Sequence, residues 1–194
     1  MVTKETLQSL ILDAGVVYLN YGDTTNERIL GATEGGNTFT VEREIREIPF
    51  DGMKGKTKGA RRIIREDAKL TVNLKELTAE NIATALAGAT ISEITDKEDY
   101  QEIRSTGSLQ DSDYIDNVAL VATISGSTKP AVIILENVLS DGNFEIGATD
   151  KEEAVIAVEF SAHYDPDDLE ADGAVKVPYA IHYPEIGEEE GTES

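Results

Sequence analysis

The sequence predicts a mainly β protein: an antiparallel β-sandwich or barrel with one flanking short helix, a long basic loop and an N-terminal arm. Three observations carry this. Period-two alternation recurs in DAKLTVNLK (67–75) and AVIAVEFSAHY (154–164). One internal stretch, TAENIATALAG (78–88), has helical spacing with a capping residue at each end. Strand signals do not alternate regularly with helical ones, as the crossovers of a parallel sheet would need.

Along the chain, Leu7, Leu10 and Ile11 stand at i, i+3, i+4 spacing, so residues 3–12 predict a short amphipathic helix within an arm at 1–13. AGVVYLNY (14–21) and RILGA (28–32) predict strands joined by the turn-rich GDTTN. In NTFTVEREIREIPF, Phe39, Val41 and Ile45 alternate with Thr40, Glu42 and Glu44. Arg43 interrupts the apolar face, whose phase then moves to Ile48 and Phe50, predicting a bulge or a crossing between sheets. Pro49 argues against a central strand there.

In 67–75, Ala68, Leu70, Val72 and Leu74 are set to face the core, with Asp67, Lys69, Thr71, Asn73 and Lys75 on the other side. Thr78 is the expected N-cap of the helix and Gly88 its stop. Residues 93–116 hold eight acids against Lys97 and Arg104 and predict a long polar excursion with a short strand around Tyr100–Arg104. NVALVATI (117–124), PAVIILENVL (130–139), the long run at 154–164 and VPYAIHY (177–183) complete the expected strands. The main domain spans 14–183, and 184–194 form an acidic tail with no core residue beyond Ile186.

Composition narrows the function classes. The chain has 194 residues, 40% hydrophobic and 28% charged, which suits one globular domain with a real core. Cysteine is absent, so disulfides, thiolate metal sites and thiol nucleophiles are excluded. The N-terminus lacks the build of a signal peptide, and no stretch approaches about 18 consecutive apolar residues. The expectation is a soluble protein made inside a cell. A net charge of −21 repels nucleic acid and anionic membranes at long range.

That charge is unevenly spread. Lys54, Lys56, Lys58, Arg61, Arg62 and Arg65 stand together without one acid between Met53 and Arg65, leaving 11 of the 17 cations for the rest of the chain. The loop at 51–62 carries three glycines, Gly52, Gly55 and Gly59, and long loops in compact domains are usually functional or disordered. Its GKT (55–57) imitates the end of a phosphate-binding loop, but Phe50 stands where the first glycine belongs and strand pattern follows instead of a helix. No aromatic residue interleaves Lys54 to Arg65 to stack on bases.

Other motifs fail on their chemistry. DLEADG (168–173) resembles the start of a calcium loop, but Tyr179 stands where the bidentate Glu is required. His163 and His182 have no metal-pair spacing, and no nucleophile–base signature is present. The sequence therefore predicts no catalytic residue, metal or cofactor, and a protein that is not an enzyme.

DAGVVYLNYG (13–22), LGATEGGNTFTVEREIREIPFDGMKGKTKGARR (30–62), REDAKLTVNLKEL (65–77) and the short helix resemble, in that order, the major tail tube proteins of long-tailed bacteriophages with non-contractile tails. The resemblance covers about residues 1–183. It implies a β-sandwich subunit that forms hexameric rings, whose long strands join into one inner barrel and whose rings stack into a tube. The lumen would hold the tape-measure protein and pass DNA without specific binding. Tail terminator and distal tail proteins would be further partners, with assembly in the host cytoplasm, residence in the virion tail and no membrane contact. Subunit contacts would fall to Lys54, Lys56, Lys58, Arg61 and Arg62 in the loop and to Leu7, Leu10 and Ile11 in the arm. The polar strand faces, Thr40, Glu42, Glu44, Asp67, Thr71, Glu153 and Glu159, would line the lumen. Two other readings compete: the tube subunit of a contractile secretion-type machine, and an acidic β-sandwich binding module whose basic loop captures an anionic ligand.

Overall fold

The structure, a computed structural model, describes residues 8–11, 13–147, 153–170 and 175–185. Its strands are β1 (Val16–Leu19), β2 (Arg28–Ile29), β3 (Thr33–Glu47), β4 (Arg61–Leu74), β5 (Ala89–Ile94), β6 (Lys97–Ser105), β7 (Ile115–Ala122), β8 (Ala131–Ser140), β9 (Ile156–Ala162) and β10 (Tyr179–His182). Among the described residues two short α-helices, α1 (Ala79–Ala85) and α2 (Pro166–Glu170), accompany them. Every strand pairing is antiparallel. One sheet runs β2-β1-β7-β8-β9-β4-β3 with β10 attached to β8, and β5 and β6 form a separate hairpin. The mainly β antiparallel class is as the sequence predicts.

Alternation builds the core. Leu70, Val72 and Leu74 of β4 pair with Phe160, Val158 and Ile156 of β9, and all six side chains are buried. Val118 and Leu120 of β7 and Leu135 and Val138 of β8 join the same cluster. Each large apolar side chain removed from water contributes about 1.5–3 kcal/mol. The sheet turns at Asn137, which has a φ of 50°. On one side of it Val132–Leu135 pair with β10; on the other Val138–Ser140 pair with β9. Asn137 Nδ2 donates to the His163 carbonyl at 3.3 Å across this corner.

Thr78 caps α1 as predicted, its hydroxyl oxygen accepting from the Asn81 amide at 3.2 Å. The helix is held by polar contacts as well as by Ile82. Buried Asn81 donates to the Leu30 carbonyl at 2.7 Å and the Glu76 carbonyl at 3.0 Å, and accepts from Arg28 Nη1 at 2.9 Å. Ser140 Oγ donates to the Ala85 carbonyl at 2.9 Å, fixing the other end. Gly88 follows with a φ of 71° and passes so close that a Cβ would lie 2.9 Å from the Ser108 carbonyl.

Several expectations need correction. The polar excursion begins inside a hairpin that starts before it, because β5 pairs with β6 from Ala89↔Ser105 to Ile94↔Lys97. The strand expected at 154–164 is the seven-residue β9, and β1 and β2 are also shorter than their apolar runs. Ile11 does not continue a helix: it forms an extended bridge with Ile124, and the Leu10 carbonyl accepts from Ser125 N at 2.9 Å. The basic loop expected at 51–62 is shorter at its far end, since β4 takes in Arg61 and Arg62. Leu7, the acidic tail beyond Glu185 and residues 171–173 of DLEADG lie outside the described residues.

Phe160→Ala should destabilise the chain by about 3–5 kcal/mol in urea unfolding, the range for a core aromatic. Thr78→Ala should cost about 1 kcal/mol.

Candidate functional site

The longest pair of strands is the ribbon of β3 and β4. Its ladder runs from Thr33↔Leu74 to Glu47↔Arg61. At about 3.3 Å per residue such a ribbon is about 45–50 Å long. β9 pairs with only Lys69–Leu74 of it, so Arg61–Ala68 are paired on one side alone among the described residues. β3 ends the sheet, and its outer edge has no partner strand among them. Near Arg43, where the phase of β3 predicts a bulge or a crossing between sheets, the extra residue stands in β4 instead: Glu44 faces Arg65 but Ile45 faces Ile63, which leaves Ile64 unpaired. Beyond it, Ile45, Ile63 and Ile64 are 43%, 53% and 54% exposed.

Where the ribbon leaves the domain, a charged pair replaces apolar side chains. Arg43 stands opposite Glu66 on the face that carries Phe39, Val41, Ala68 and Leu70 deeper in. Glu66 is buried, with 8% of its surface accessible. Its Oε1 accepts from Arg43 Nη2 at 2.8 Å and from the Tyr179 hydroxyl of β10. Tyr164 OH donates to the Glu66 carbonyl at 3.1 Å, taking a backbone group that β9 leaves unpaired. Phe39 packs on Tyr179 with ring centroids 5.7 Å apart. The Tyr179 hydroxyl and then Arg43 hold the Glu66 carboxyl below its ordinary range. The bond to Glu66 and burial raise Tyr179, and burial raises Tyr164.

The opposite face of the ribbon is polar. Cross-strand pairs Thr40↔Lys69, Glu42↔Asp67 and Glu44↔Arg65 lie on it, and Thr71↔Glu159 extends it onto β9. Six of the seven residues assigned to the lumen thus share one face. The seventh, Glu153, lies just before β9, and its carboxylate reaches Lys75 Nζ at 3.3 Å. Lys75 is shared with Glu34 at 2.9 Å, and Lys69 binds Glu159 at 2.9 Å.

At the far end the strands join through two tight turns. Met53 N donates to the Phe50 carbonyl and Ala60 N to that of Thr57, both at 3.2 Å. Each turn has glycine at its third position, Gly52 and Gly59, with φ of 88° and 87°. Lys54, Lys56 and Lys58 are exposed and join none of the ion pairs found among the described residues. Arg61 lies 3.8 Å from Glu47, and Arg62 donates to the Gly59 carbonyl at 3.1 Å. Phe50 and Ile48 are 54% and 45% exposed. Leu10 and Ile11, by contrast, lie apart from the ribbon beside the β7–β8 turn, where both are exposed.

His163 is engaged structurally, its Nδ1 3.1 Å from the Asn137 carbonyl and its ring edge-on to Tyr114. No group of three metal-ligating side chains was found among the described residues. No described helix is long and apolar enough to cross a membrane. No protein-family model matches the chain, and no curated protein matches it either.

Sequence pattern marks Arg43 as a break in the apolar face but does not reach the Glu66 cluster. Aligning the two strands on Val41↔Ala68 puts Arg43 opposite Glu66, and that was the available signal.

Because the folded-state pKa of Glu66 is lowered, its contribution is complete above the ordinary carboxylate range and disappears as pH falls through the folded value. Glu66→Gln should therefore lower the melting temperature at pH 7, and the gap from wild type should shrink below about pH 4. A thermal melt series from pH 7 to 3 checks this.

Proposed function

We propose that the chain is a structural virion protein: a subunit that assembles into stacked hexameric rings forming the tail tube of a long-tailed bacteriophage. The carrying observation is the ribbon. Its edge strand β3 runs 15 residues without a partner on its outer side among the described residues. Unpaired edges of that length are templates for association, and closure into a shared barrel removes them. The exposed isoleucines beyond the bulge give that association an apolar component. The shared polar face carries Glu42, Glu44, Asp67 and Glu159, and an acidic wall of this kind repels phosphate and lets DNA slide. The resemblance of the sequence supports the hexameric ring, the tape-measure, terminator and distal partners, and the place in the virion tail. The tube of a contractile secretion-type machine would use the same edge. The binding-module reading draws on the unpaired lysines of the tip but leaves the β3 edge and the isoleucines without a use.

Concentrated protein should form rings or tubes in negative-stain images. Ile45→Glu with Ile63→Glu should leave the subunit folded by circular dichroism and abolish those particles. A chain that stays monomeric by light scattering at high concentration, in low and moderate salt, would favour the binding module instead.

A further inference from the structure

We propose that the cleft between the turn before β7 and the corner of β8 and β9 binds an organic cation, a guanidinium group in preference to an ammonium. The site lies within one copy, so it stands or falls apart from the self-assembly reading.

Three segments distant in sequence meet there. Asp111 and Tyr114 come from the turn before β7, Asn137 from the bend of β8, and His163, Tyr164 and Asp165 from the chain leaving β9. They border an open cleft of about 370 Å³. That volume falls within the range of small-molecule sites, about 300–1,000 Å³. The turn is held in shape by Tyr114 N, which donates to the Asp111 carbonyl at 3.3 Å, and by Gln110 N, which donates to the Asp113 carboxylate at 2.7 Å. Two of the walls are aromatic rings at right angles: Tyr114 and His163 have centroids 5.2 Å apart and planes 89° apart. Tyr164 adds a third ring. Aromatic faces attract cations, and a guanidinium stacks on them most readily because it is planar and weakly hydrated.

The hydrogen-bond donors of the cleft are already engaged. Asn137, held at a φ of 50°, donates through Nδ2 to the His163 carbonyl at 3.3 Å, and its own carbonyl lies 3.1 Å from His163 Nδ1. A carbonyl only accepts, so Nδ1 carries the proton and the neutral ring keeps Nε2 as an acceptor. The Tyr164 hydroxyl donates away from the cleft, to the Glu66 carbonyl at 3.1 Å. The groups left over are acceptors: the Asp111 and Asp165 carboxylates and His163 Nε2, beside the Tyr114 hydroxyl, which can serve either way. Neither carboxylate joins an ion pair among the described residues. Lys176, whose ammonium feels the charge of Asp165, is held by Glu136 at 2.6 Å instead. Such a set repels an anion and suits a cation that brings several N–H donors of its own. No group of three metal-ligating side chains forms there among the described residues, and the aromatic walls favour an organic cation over a bare ion.

The test is a titration of dilute protein with Nα-acetyl-arginine amide, read from the ring signals of Tyr114 and His163 by nuclear magnetic resonance. Both should shift saturably with a Kd of about 1 mM or tighter, the scale that ordinary ligand efficiency gives a molecule of this size. Nα-acetyl-lysine amide should bind about threefold more weakly or worse, and the uncharged isostere Nα-acetyl-citrulline amide should not bind. Asp111→Asn with Asp165→Asn should weaken the arginine amide by about tenfold, since asparagine keeps the bond that Asp165 accepts from the Asp167 amide and loses only charge. Glu98→Gln with Asp99→Asn in the β5–β6 hairpin removes the same charge elsewhere and should leave the Kd unchanged. Tyr114→Leu should cost about fivefold and Tyr114→Phe little, because the ring and not the hydroxyl carries the attraction. If Tyr114→Leu disturbs the circular dichroism spectrum, the exposed carboxylate pair still decides the matter. A tripeptide with a central arginine that binds several-fold more tightly places the guanidinium on a protein partner, and equal affinity places it on a free ligand. Equal binding of the citrulline or lysine amide, or equal weakening by the hairpin control, overturns the proposal. So does the lack of a saturable shift up to about 20 mM, well above the expected Kd.

Discussion

A two-stranded β ribbon is at best marginally stable in water, and the outer half of the β3–β4 ribbon is two-stranded. The rest of the structure is arranged around that constraint. The inner half rests on β9 and buries Leu70, Val72 and Leu74 at essentially zero exposure. The outer half has its turns, its cross-strand pairs and one anchor. The anchor is Glu66, which ties β4 to Arg43 of β3 and to Tyr179 of β10 at the level where β9 turns away. Burying the Glu66 carboxylate costs desolvation, which offsets much of its attraction to the half-exposed Arg43. The use of the pair here is geometric: it fixes the direction in which the ribbon leaves the domain, and an apolar pair would fix that direction less narrowly.

Electrostatics then gives the ribbon a direction. The core-side face passes from apolar residues through Arg43 and Glu66 to the exposed Ile45 and Ile63. The polar face passes from carboxylates at the root to arginines and lysines at the tip. Solubility alone does not call for such segregation, since mixed surface charge would serve it with less self-repulsion. A subunit that must meet identical neighbours in one orientation gains both steering and discrimination against wrong orientations.

The sequence revealed the parts of this fold in which one face is buried and the other is not. Ala68, Leu70, Val72 and Leu74 alternate cleanly because β9 and the core cover one side only, and Thr78 is recognisable because capping needs a side-chain oxygen at that position. β5 escaped because Ile91 is partly exposed and Ser92 and Glu93 are exposed as well, so alternation never develops. The basic loop, expected at 51–62, ends earlier for a related reason: Arg61 and Arg62 pair with β3 while both faces stay in solvent. Six of the seven polar residues assigned to one lining face share it, since strand parity determines that within a strand, whereas Glu153 lies before β9. The Glu66 anchor required knowing the register between strands, and the contribution of Tyr179, 113 residues away, lies beyond any local pattern.

Amide hydrogen exchange along Thr40–Glu47, compared between dilute and concentrated protein, tests the role of the β3 edge most directly. The account predicts fast exchange at the outward amides of β3 in the dilute chain and marked protection once particles form, with little change in β7 and β8. Particles that form while these amides exchange as fast as in the dilute chain would contradict it.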